Sequence, residues 1–546
     1  MEDVANLVLT GPEFKQMDEN MRSVTMHVIK AIPRPTISTA APLAGAATAS
    51  ADGIDRISRL PVGILRNIVS RLPAKDAVRT TALAKCWRRV WHSVPLVLVD
   101  AHLLSDQSVV GRGPSIYRNT GIDAWVAAIF RTLDAMGSLA DNVSHVLTVH
   151  PGPFSYVYLA GNNMMYHPDK LALWIKLLAA KGVKELVFVN LASRFDDELP
   201  IPADIFNCTA LTKLYLGTWW FPDTLPRRTV AFPYLRELGL CNVHTKDEDL
   251  SFLLDRCPVL EKLMISRGLW PVCLRIHSRS LRCVQVCQGL VREINVASAS
   301  RLERLLLWEA WGWDDHQFTN MSCKVKIGHA PKLHFLGFLV PGMHQLEIGN
   351  TAIKVNTKAS PNTTVPSVQM LGLQVKLGTY IEARMLPSFL RCFPNIETLY
   401  VQLQSQNDDI KFWGPQTTGT SKVINLKFWK DAGPIECIQK HIKKLVLREF
   451  RGRKSELGFL KFIAENAQVL EDMVIVMTHG FSPSDNLGAK LKIFMASAKW
   501  ANACCKMMVF KSPFPIQGTA WCHIRAFDFS VEDPFDVNCS EDTCGH

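Results

Sequence analysis

Apolar residues recur at helical spacing in one dense block, residues 55–95, before the pattern changes to short strands. Pro61 suits the first turn of a helix, because its missing N–H would have no partner there. The apolar positions that follow at helical spacing are Ile64, Leu65, Ile68 and Leu72. Pro73 ends this helix, and a second short helix is predicted from about Asp76. A third helix carries the apolar residues Leu83, Cys86, Trp87, Val90 and Trp91.

Three short helices bury little surface by themselves, so we expect this block to dock on another body. From about residue 122 the chain alternates helix-period and strand-period segments. Eight segments follow an L-x-x-L-x-L pattern, and residues 182–188 look like a forerunner. The eight segments are 208–216, 232–240, 257–265, 278–286, 299–307, 330–338, 365–373 and 393–401. Their central residues are Leu214, Leu238, Leu263, Val284, Leu305, Leu336, Leu371 and Leu399.

The intervals between these centres predict a repeat array. The first four fall within the period of about 20–29 residues of leucine-rich repeats, and the later ones are longer. Each unit should give one strand whose leucines point inward, because a solenoid buries its core only by stacking neighbouring repeats. The predicted fold is therefore α/β, a three-helix module followed by a curved, mostly parallel sheet with convex-side helices at segments such as 247–256 and 386–392. An unrelated α/β domain with leucine-rich strands is the alternative.

Alternation along each strand predicts which side chains face solvent on the concave surface. The candidate substrate contacts are Tyr215, Met264, Gln285, Arg304, Trp308 and Tyr400. Glu237, Lys262, Phe335, Thr398 and Gln402 should point the same way. A mixture of aromatic, Met, Arg and polar residues suits protein recognition, although each of them is also compatible with an ordinary exposed side chain.

The block at 55–95 resembles a plant-type F-box. The matching residues include Leu60-Pro61, the second Leu72-Pro73 and Leu83…Trp87-Arg88…Trp91, with Thr81-Ala82-Leu83-Ala84 as a small departure where the family usually has serines. The resemblance implies a docking surface for a Skp-type adaptor, which links to a cullin. The implied adaptor contacts are Leu60, Pro61, Ile64, Leu65, Ile68, Leu72 and Val78. Leu83, Trp87 and Trp91 would close the module, and the two tryptophans are also typical of an internal core.

Residues 428–477 resemble the FBD region that follows leucine-rich repeats in many plant F-box proteins. The matching residues include Leu445-Val446-Leu447, Glu456-Leu457 and Phe459-Leu460-Lys461-Phe462-Ile463. The pattern predicts a strand, a basic turn, an amphipathic helix and a further strand, which together would cap the solenoid. The basic residues here are Lys443, Lys444, Arg448, Arg451, Arg453 and Lys454, typical of a solvated loop rim or, alternatively, of a nuclear address or nucleic-acid patch.

Composition limits the cellular compartments and the kinds of cofactor that we expect for this protein. The 546 residues are 48% hydrophobic with a net charge of +11, and no uninterrupted apolar stretch reaches the ~20 residues that cross a bilayer. Residues 1–53 lack a secretory or transit pattern and look like a flexible leader, so we expect a cytosolic or nuclear protein with reduced cysteines. Cys539, Cys544 and His546 lack the paired spacing of a zinc site, and no metal or cofactor is expected.

The chain contains none of the nucleophile, phosphate-loop or zinc-hydrolase motifs that indicate an enzyme. The resemblance to F-box proteins implies a non-catalytic substrate-recognition subunit of a Skp–cullin–F-box ubiquitin ligase, with a protein substrate on the solenoid and neither membrane nor nucleic acid as a partner. A small-molecule-gated receptor and a non-degradative scaffold are the alternatives. The expected divisions are a leader (1–53), F-box (54–100), leucine-rich repeats (122–427), FBD-like repeats (428–480) and a C-terminal extension with an acidic tail (481–546).

Overall fold

The computed structural model describes residues 27–33, 56–103 except 73, 136–160, 167–190, 199–223, 231–268, 272–309, 322–404, 426–478, 487–511 and 521–536. They form two compact units, one reaching from residue 27 to 268 and the other from 272 to 536. We call them unit 1 and unit 2.

Unit 1 begins with the predicted three-helix module and continues into a parallel sheet. Its helices are α1 (Val62–Val69), α2 (Ala74–Thr80), α3 (Lys85–Ser93), α4 (Met136–Val149), α5 (Pro168–Ala180) and α6 (Asp247–Asp255), with 3-10 turns at Asp100–Leu103 and Ala203–Asn207. Its strands, in spatial order, are β1 (Leu96–Val99), β2 (Phe154–Leu159), β3 (Glu185–Val189), β4 (Lys213–Trp220), β5 (Glu237–His244) and β6 (Lys262–Ser266). Every neighbouring pair among these six strands is parallel.

Unit 2 has a main parallel sheet built in the same way. Its strands, in spatial order, are β8 (Cys283–Cys287), β10 (Arg304–Trp308), β12 (Phe335–Leu339), β15 (Met370–Val375), β16 (Thr398–Leu403), β17 (Lys444–Phe450), β18 (Asp472–Met477) and β19 (Lys506–Lys511). Its helices are α7 (Tyr380–Arg391), α8 (Leu426–Asp431), α9 (Glu436–Lys440), α10 (Lys454–Asn466), α11 (Leu487–Ala496) and α12 (His523–Phe527). The predicted strand, basic turn, helix and strand of the FBD-like region are β17, α10 and β18.

The central residues of the repeats stand opposite one another in these sheets. Leu214 pairs with Leu238 and Leu238 with Leu263 in unit 1. In unit 2 the paired residues run Val284, Leu305, Leu336, Leu371, Leu399, Leu445, Met473 and Met507. All eight predicted centres are at most 1% exposed, and burying each leucine stabilises the array by roughly 1.5–3 kcal/mol. The prediction of one strand per repeat with its central residue in the core is therefore confirmed.

A left-handed residue recurs at one position near the carboxyl end of the strands or directly after it. Four positions beyond the central residue, φ is positive at Thr218, Asn242, Arg267, Gln288, Glu309 and Glu449. Such values are uncommon for residues other than glycine, so their recurrence at one repeat position marks a change of backbone direction that the repeats share.

Between residues 272 and 352 the connections are strands where the solenoid pattern predicted helices. β7 (Val272–His277), β9 (Val291–Ser298), β11 (Cys323–His329) and β13 (His344–Ile348) form a second parallel sheet, and β14 (Thr351–Ala352) adds one antiparallel edge. These segments are strands rather than helices because their apolar residues recur at every second position. In β11, for example, buried Val325 and Ile327 alternate with Lys324 and Lys326. Both lysines bind Glu347, at 2.8 and 2.7 Å. Helices flank the main strands elsewhere, as at α6, α7 and α10.

Part of the expected leader is packed. Residues 27–31 are helical, and Val28, Ile29, Ala31 and Ile32 are at most 4% exposed. The expectation of a flexible leader is corrected for this stretch, because these four apolar side chains are buried within unit 1. The other residues of 1–53 lie outside the described residues.

Among the helices of the described residues, none has the length and apolarity required to span a bilayer. The same residues bring together no group of three or more His, Cys, Asp or Glu side chains that would hold a metal ion. The candidates Cys539, Cys544 and His546 lie outside them.

Candidate functional site

The three-helix module has its own small core. Leu65 and Val69 of α1 are 1% exposed and Trp87, Val90 and Trp91 of α3 are at most 5% exposed, because both helices turn their apolar stripe inward. The Trp87 indole N–H donates to Ser58 Oγ at 2.7 Å. Both tryptophans are therefore core residues, the second of the two roles considered from the sequence.

The module is anchored on the unit 1 solenoid through Trp91. Its ring meets the His150 ring edge-on at a centroid distance of 4.6 Å, and His150 Nε2 lies 3.1 Å from the Trp91 carbonyl oxygen. Burial lowers the pKa of His150 below its usual range, so the neutral ring donates this hydrogen bond at neutral pH. The helices are thus held in one position relative to β2.

The opposite side of the module exposes apolar side chains. Pro61, Ile64 and Ile68 follow at i, i+3 and i+7 on one face of α1, and Ile64 is 48% exposed. Leu60 and Val78 are also exposed, at 36% and 42%. Sequence reasoning missed three further exposed apolar side chains: Ile57, Val62 and Leu83. We call the whole set, Ile57, Leu60, Pro61, Val62, Ile64, Ile68, Val78 and Leu83, the apolar helical surface.

Three predicted adaptor contacts are less exposed than the others. Leu65 is 1% exposed and belongs to the core, because its stripe of α1 faces α3; its predicted contact with an adaptor is corrected on that ground. Leu72 is half-buried, and so is Ile68 at the border of the exposed face. Leu83 is 66% exposed and does not close the module.

The module is strongly basic. Between residues 56 and 95 it has nine Lys or Arg residues and one acidic residue, Asp76. Asp76 already binds Arg79 at 3.1 Å. An exposed apolar surface with basic neighbours fits a partner that offers an apolar groove with acidic residues around it.

The predicted concave residues have the predicted orientation but not the predicted exposure. Tyr215, Met264, Gln285, Arg304, Trp308 and Tyr400 point away from the leucine core of their strands. All six are nevertheless at most 4% exposed, which corrects the expectation of a solvent-facing row. In each unit a remote segment of the chain covers them.

In unit 1 the cover is the N-terminal helical segment. His27 Nε2 lies 2.6 Å from Ser266 Oγ, and a Cβ on Gly217 would come within 3.0 Å of Val28 Cγ1. The Tyr215 ring lies over Gly239, where an added Cβ would be 2.3 Å from the ring, so only glycine fits. Its hydroxyl donates to Glu237 at 2.5 Å.

In unit 2 the cover is residues 521–536, which we call the strap. We call the sheet face beneath it the strap face, and this face carries Gln285, Arg304, Trp308, Tyr400 and Arg448. Arg304 Nη1 donates to the carbonyl oxygens of Ala526 (2.8 Å) and Asp528 (2.9 Å), and Nη2 donates to that of Val531 (2.5 Å). The guanidinium thereby satisfies carbonyl groups at and beyond the C-terminal end of α12.

Two further side chains of the strap face bind strap backbone. Gln285 Nε2 donates to the His523 carbonyl oxygen at 3.0 Å, and Arg448 Nη2 donates to that of Phe535. Gln285 Oε1 accepts from the Trp521 indole N–H at 2.8 Å and lies 2.9 Å from His523 Nδ1. Five hydrogen bonds thus run from Gln285, Arg304 and Arg448 to main-chain carbonyls of the strap.

Aromatic packing and one carboxylate complete the contact. The Trp521 ring stacks on Phe338 with an interplanar angle of 7°, and the Phe535 ring meets Tyr400 at 5.4 Å between centroids. Asp533 accepts from the Tyr400 hydroxyl at 2.6 Å and lies 3.8 Å from Lys444 Nζ.

Burial changes the ionisation of these groups. Desolvation lowers the pKa of Arg304 and of Arg448, and nearby anionic groups oppose both shifts. Desolvation, with the Asp533 carboxylate as a second cause, holds the pKa of Tyr400 far above its usual range. Burial lowers the pKa of His523 to about 4. At neutral pH the Tyr400 hydroxyl therefore keeps its proton, and His523 is uncharged.

The basic cluster of the FBD-like region is largely paired. Lys443 binds Glu397 at 2.9 Å, Arg451 binds Glu449 at 3.2 Å, and Arg448 lies beneath the strap. Glu456 Oε2 accepts from the backbone N–H groups of Arg451 and Arg453 at 2.9 and 3.1 Å, which fixes the basic turn. These pairings favour a structural role over a nucleic-acid patch.

The buried thiols are poorly suited to nucleophilic chemistry. Within the described residues thirteen cysteines form no disulfide, and burial raises the pKa of Cys208, Cys241 and Cys257 to about 12. Burial, with Asp472 as a lesser cause, raises that of Cys505 to about 11. A reactive cysteine needs the opposite shift.

Three family models match separate parts of the chain. The F-box domain model matches residues 57–98, the model described as "FBD-associated F-box protein At5g56370, LRR repeats" matches residues 171–401, and the FBD model matches residues 430–475. The matched regions coincide with the three-helix module, most of the repeat strands, and the segment from α8 to β18.

Proteins of Arabidopsis thaliana have similar sequences. F-box/FBD/LRR-repeat protein At1g13570 is 31% identical over 212 residues, which cover 39% of this chain and 44% of that protein. F-box/LRR-repeat protein At3g26922 is 28% identical over 39% of this chain and 60% of its own length. The chain thus spans about half the length of these two relatives. F-box/LRR-repeat protein 13 is 24% identical over 80% of this chain and 92% of that protein.

Proposed function

Because this chain combines the F-box, leucine-rich repeats and FBD region of the plant F-box/FBD/LRR-repeat family, we propose that it recruits a target protein to a Skp–cullin–F-box ubiquitin ligase. Its F-box docks on a Skp-type adaptor, and the solenoid holds the target while partner proteins perform the chemistry. The mechanism is proximity, since holding the target near the ubiquitin donor raises its effective concentration. Action in the cytosol or nucleus is part of this proposal.

The apolar helical surface is the observation that carries the proposal. Exposed side chains such as Ile57 (57%) and Leu83 (66%) are costly to leave in water, and a groove on an adaptor removes them from it. The excess of basic side chains around them supports an acidic partner surface and a fast, salt-dependent encounter.

The test is co-purification of the chain with a Skp-type adaptor. The variant Leu60→Ala with Pro61→Ala and Ile64→Ala should lose adaptor binding while its thermal unfolding midpoint stays close to that of the original chain, because all three side chains are exposed. Leu173→Ala is the matched control, since Leu173 is an apolar side chain 47% exposed outside the module. Adaptor binding that survives the triple substitution would contradict the docking assignment.

A further inference from the structure

The hydrogen bonds to the main chain of the strap do not depend on its own sequence. Arg304, Arg448 and Gln285 donate to main-chain carbonyl oxygens, which every peptide segment has. A different segment in the same conformation would receive the same bonds. The strap face therefore has the chemistry of a peptide-binding surface.

Selectivity on this face comes from a few side-chain positions. Trp521 and Phe535 fill one aromatic cluster with Phe338 and Tyr400. The Arg282 guanidinium carbon lies 3.6 Å from the Phe529 ring centroid, a close cation–π contact. Asp533 supplies a carboxylate to Tyr400 and Lys444.

Charge complementarity points to the same class of occupant. Between residues 521 and 536 the strap has four acidic residues and one arginine. The strap face offers Arg304, Arg448 and Lys444 to it. An acidic segment with aromatic anchors is therefore the chemistry that this face accepts.

The strap leaves polar atoms of its face unpaired. Trp308 Nε1, Gln374 Oε1 and Gln402 Oε1 are buried and have no hydrogen-bond partner within the described part of the chain. Gln374 and Gln402 stand opposite each other on β15 and β16, on the same side as Tyr400, and are 1% and 6% exposed. Buried polar atoms without partners are rare in proteins, and a segment that pairs with them binds more tightly than one that does not.

We propose that the strap face is the binding site for an acidic, aromatic segment of the target protein, and that the strap is its intramolecular occupant. The segment would place aromatic side chains and a carboxylate at the spacing of Trp521, Phe529, Asp533 and Phe535, and would displace the strap on binding. This inference rests on the proposed function, because it assigns the target site of the same solenoid. A tethered strap competes at an effective concentration on the order of millimolar, so an untethered peptide binds only weakly while the strap stays attached.

The test turns the tethered strap into a free ligand. A specific protease site is inserted in the full chain between residues 511 and 521, the chain is cleaved, and a fluorescent peptide of residues 521–536 is added in excess. The labelled peptide should replace the cleaved strap. The uncleaved chain should bind the peptide at least about a hundredfold more weakly.

Matched peptides make the result specific. The peptide with Asp533→Asn loses a charged bond to Tyr400 and should bind about tenfold more weakly. The peptide with Ile524→Ala should bind like the original, because Ile524 is 49% exposed on the bound strap. A cleaved strap that neither leaves nor exchanges over days, or equal binding of the two altered peptides, would overturn the inference.

Adaptor co-purification is measured on the same cleaved chain. If the adaptor still binds and the peptide does not exchange, the strap is a permanent part of unit 2 and only this inference is lost. If the adaptor fails to bind, the docking role of the F-box is lost, and the peptide result still decides whether the strap face accepts a segment in trans.

Discussion

The F-box and the strap face invert the ordinary distribution of side chains in opposite ways. The F-box leaves Val62, Ile64 and Leu83 in solvent, whereas the strap face buries Gln285 and Arg304 completely or nearly so. Apolar groups are usually inside and charged groups outside, so both departures require an explanation. The F-box departs from the rule because none of the described residues covers its apolar helical surface. The strap face departs from it because another segment of the same chain covers it.

The difference teaches how the two surfaces meet partners. An apolar surface gains free energy from any groove that removes it from water, and a rigid partner can dock on it directly. A buried arginine needs its hydrogen bonds replaced one by one, so an occupant of the strap face has to present carbonyl groups at set positions. A partner can bind the apolar helical surface directly, whereas a segment can bind the strap face only if it replaces the strap.

The largest effect should come from the buried guanidinium. Arg304→Ala removes three charged hydrogen bonds to strap carbonyls and should lower the free energy of unfolding of unit 2 by about 4 kcal/mol. Urea denaturation measures it. Arg301→Ala is the control, since Arg301 is exposed three residues earlier and its loss should change stability by less than about 0.5 kcal/mol. Similar effects of the two variants would mean that the strap contributes little to stability.

Two neighbouring residues of α1 should differ in their effects on stability and on adaptor binding. Leu65→Ala should destabilise unit 1 by about 3 kcal/mol, because it leaves a cavity beneath α3. Ile64→Ala should leave the thermal midpoint nearly unchanged and weaken adaptor binding about tenfold. Calorimetry and titration with the adaptor separate the two effects. If Ile64→Ala destabilises as strongly as Leu65→Ala, the apolar helical surface belongs to the core.

The strap should loosen in mild acid. His523 has a pKa of about 4 in the folded chain and an ordinary value of 6.5. Between these two pH values His523 therefore binds a proton in the unfolded chain but not in the folded chain. The contribution of His523 to stability is complete above pH 6.5 and is lost as pH falls toward 4. The loss amounts to about 2 kcal/mol at pH 5. Comparing urea denaturation of the original chain and His523→Gln at pH 7 and pH 5 isolates this residue from the other histidines. An unchanged difference between the two proteins at both pH values would contradict the prediction.

The smallest effect concerns the charge of the F-box. Raising the salt concentration from about 50 to 300 mM should weaken adaptor binding only a few-fold, mainly through slower association, because exposed charges are screened. Stopped-flow association rates at both salt concentrations measure this. The exchange of the strap peptide onto the cleaved chain should depend less on salt, since Arg304 and Arg448 are buried. Equal salt dependence of the two reactions would remove the contrast.

The repeat pattern was readable because it is local. Eight central residues were identified from an L-x-x-L-x-L pattern, and the structure sets them opposite one another in parallel strands. The F-box helices were readable for the same reason, since helical spacing and two prolines mark them. Regular leucine-rich repeats have a helix behind each strand, and that expectation does not predict the second sheet at 272–352. The period-two alternation of β11 and β13 is the sequence signal that indicates strands there.

The sequence by itself determined the helices of the F-box, the register of the repeats and the face on which Gln285, Arg304 and Tyr400 lie, because each follows from spacing along a few residues. Tertiary structure alone decided that this face is covered, since Arg304 meets carbonyl groups more than two hundred residues away in the chain. Tertiary structure also decided that Leu65 is a core residue while Ile64 is exposed. The face of α1 that is buried is the one that packs against α3, and the position of α3 cannot be read from the spacing of residues in α1. Periodicity fixes how a residue is oriented within its own element, and contacts distant in sequence decide what it faces.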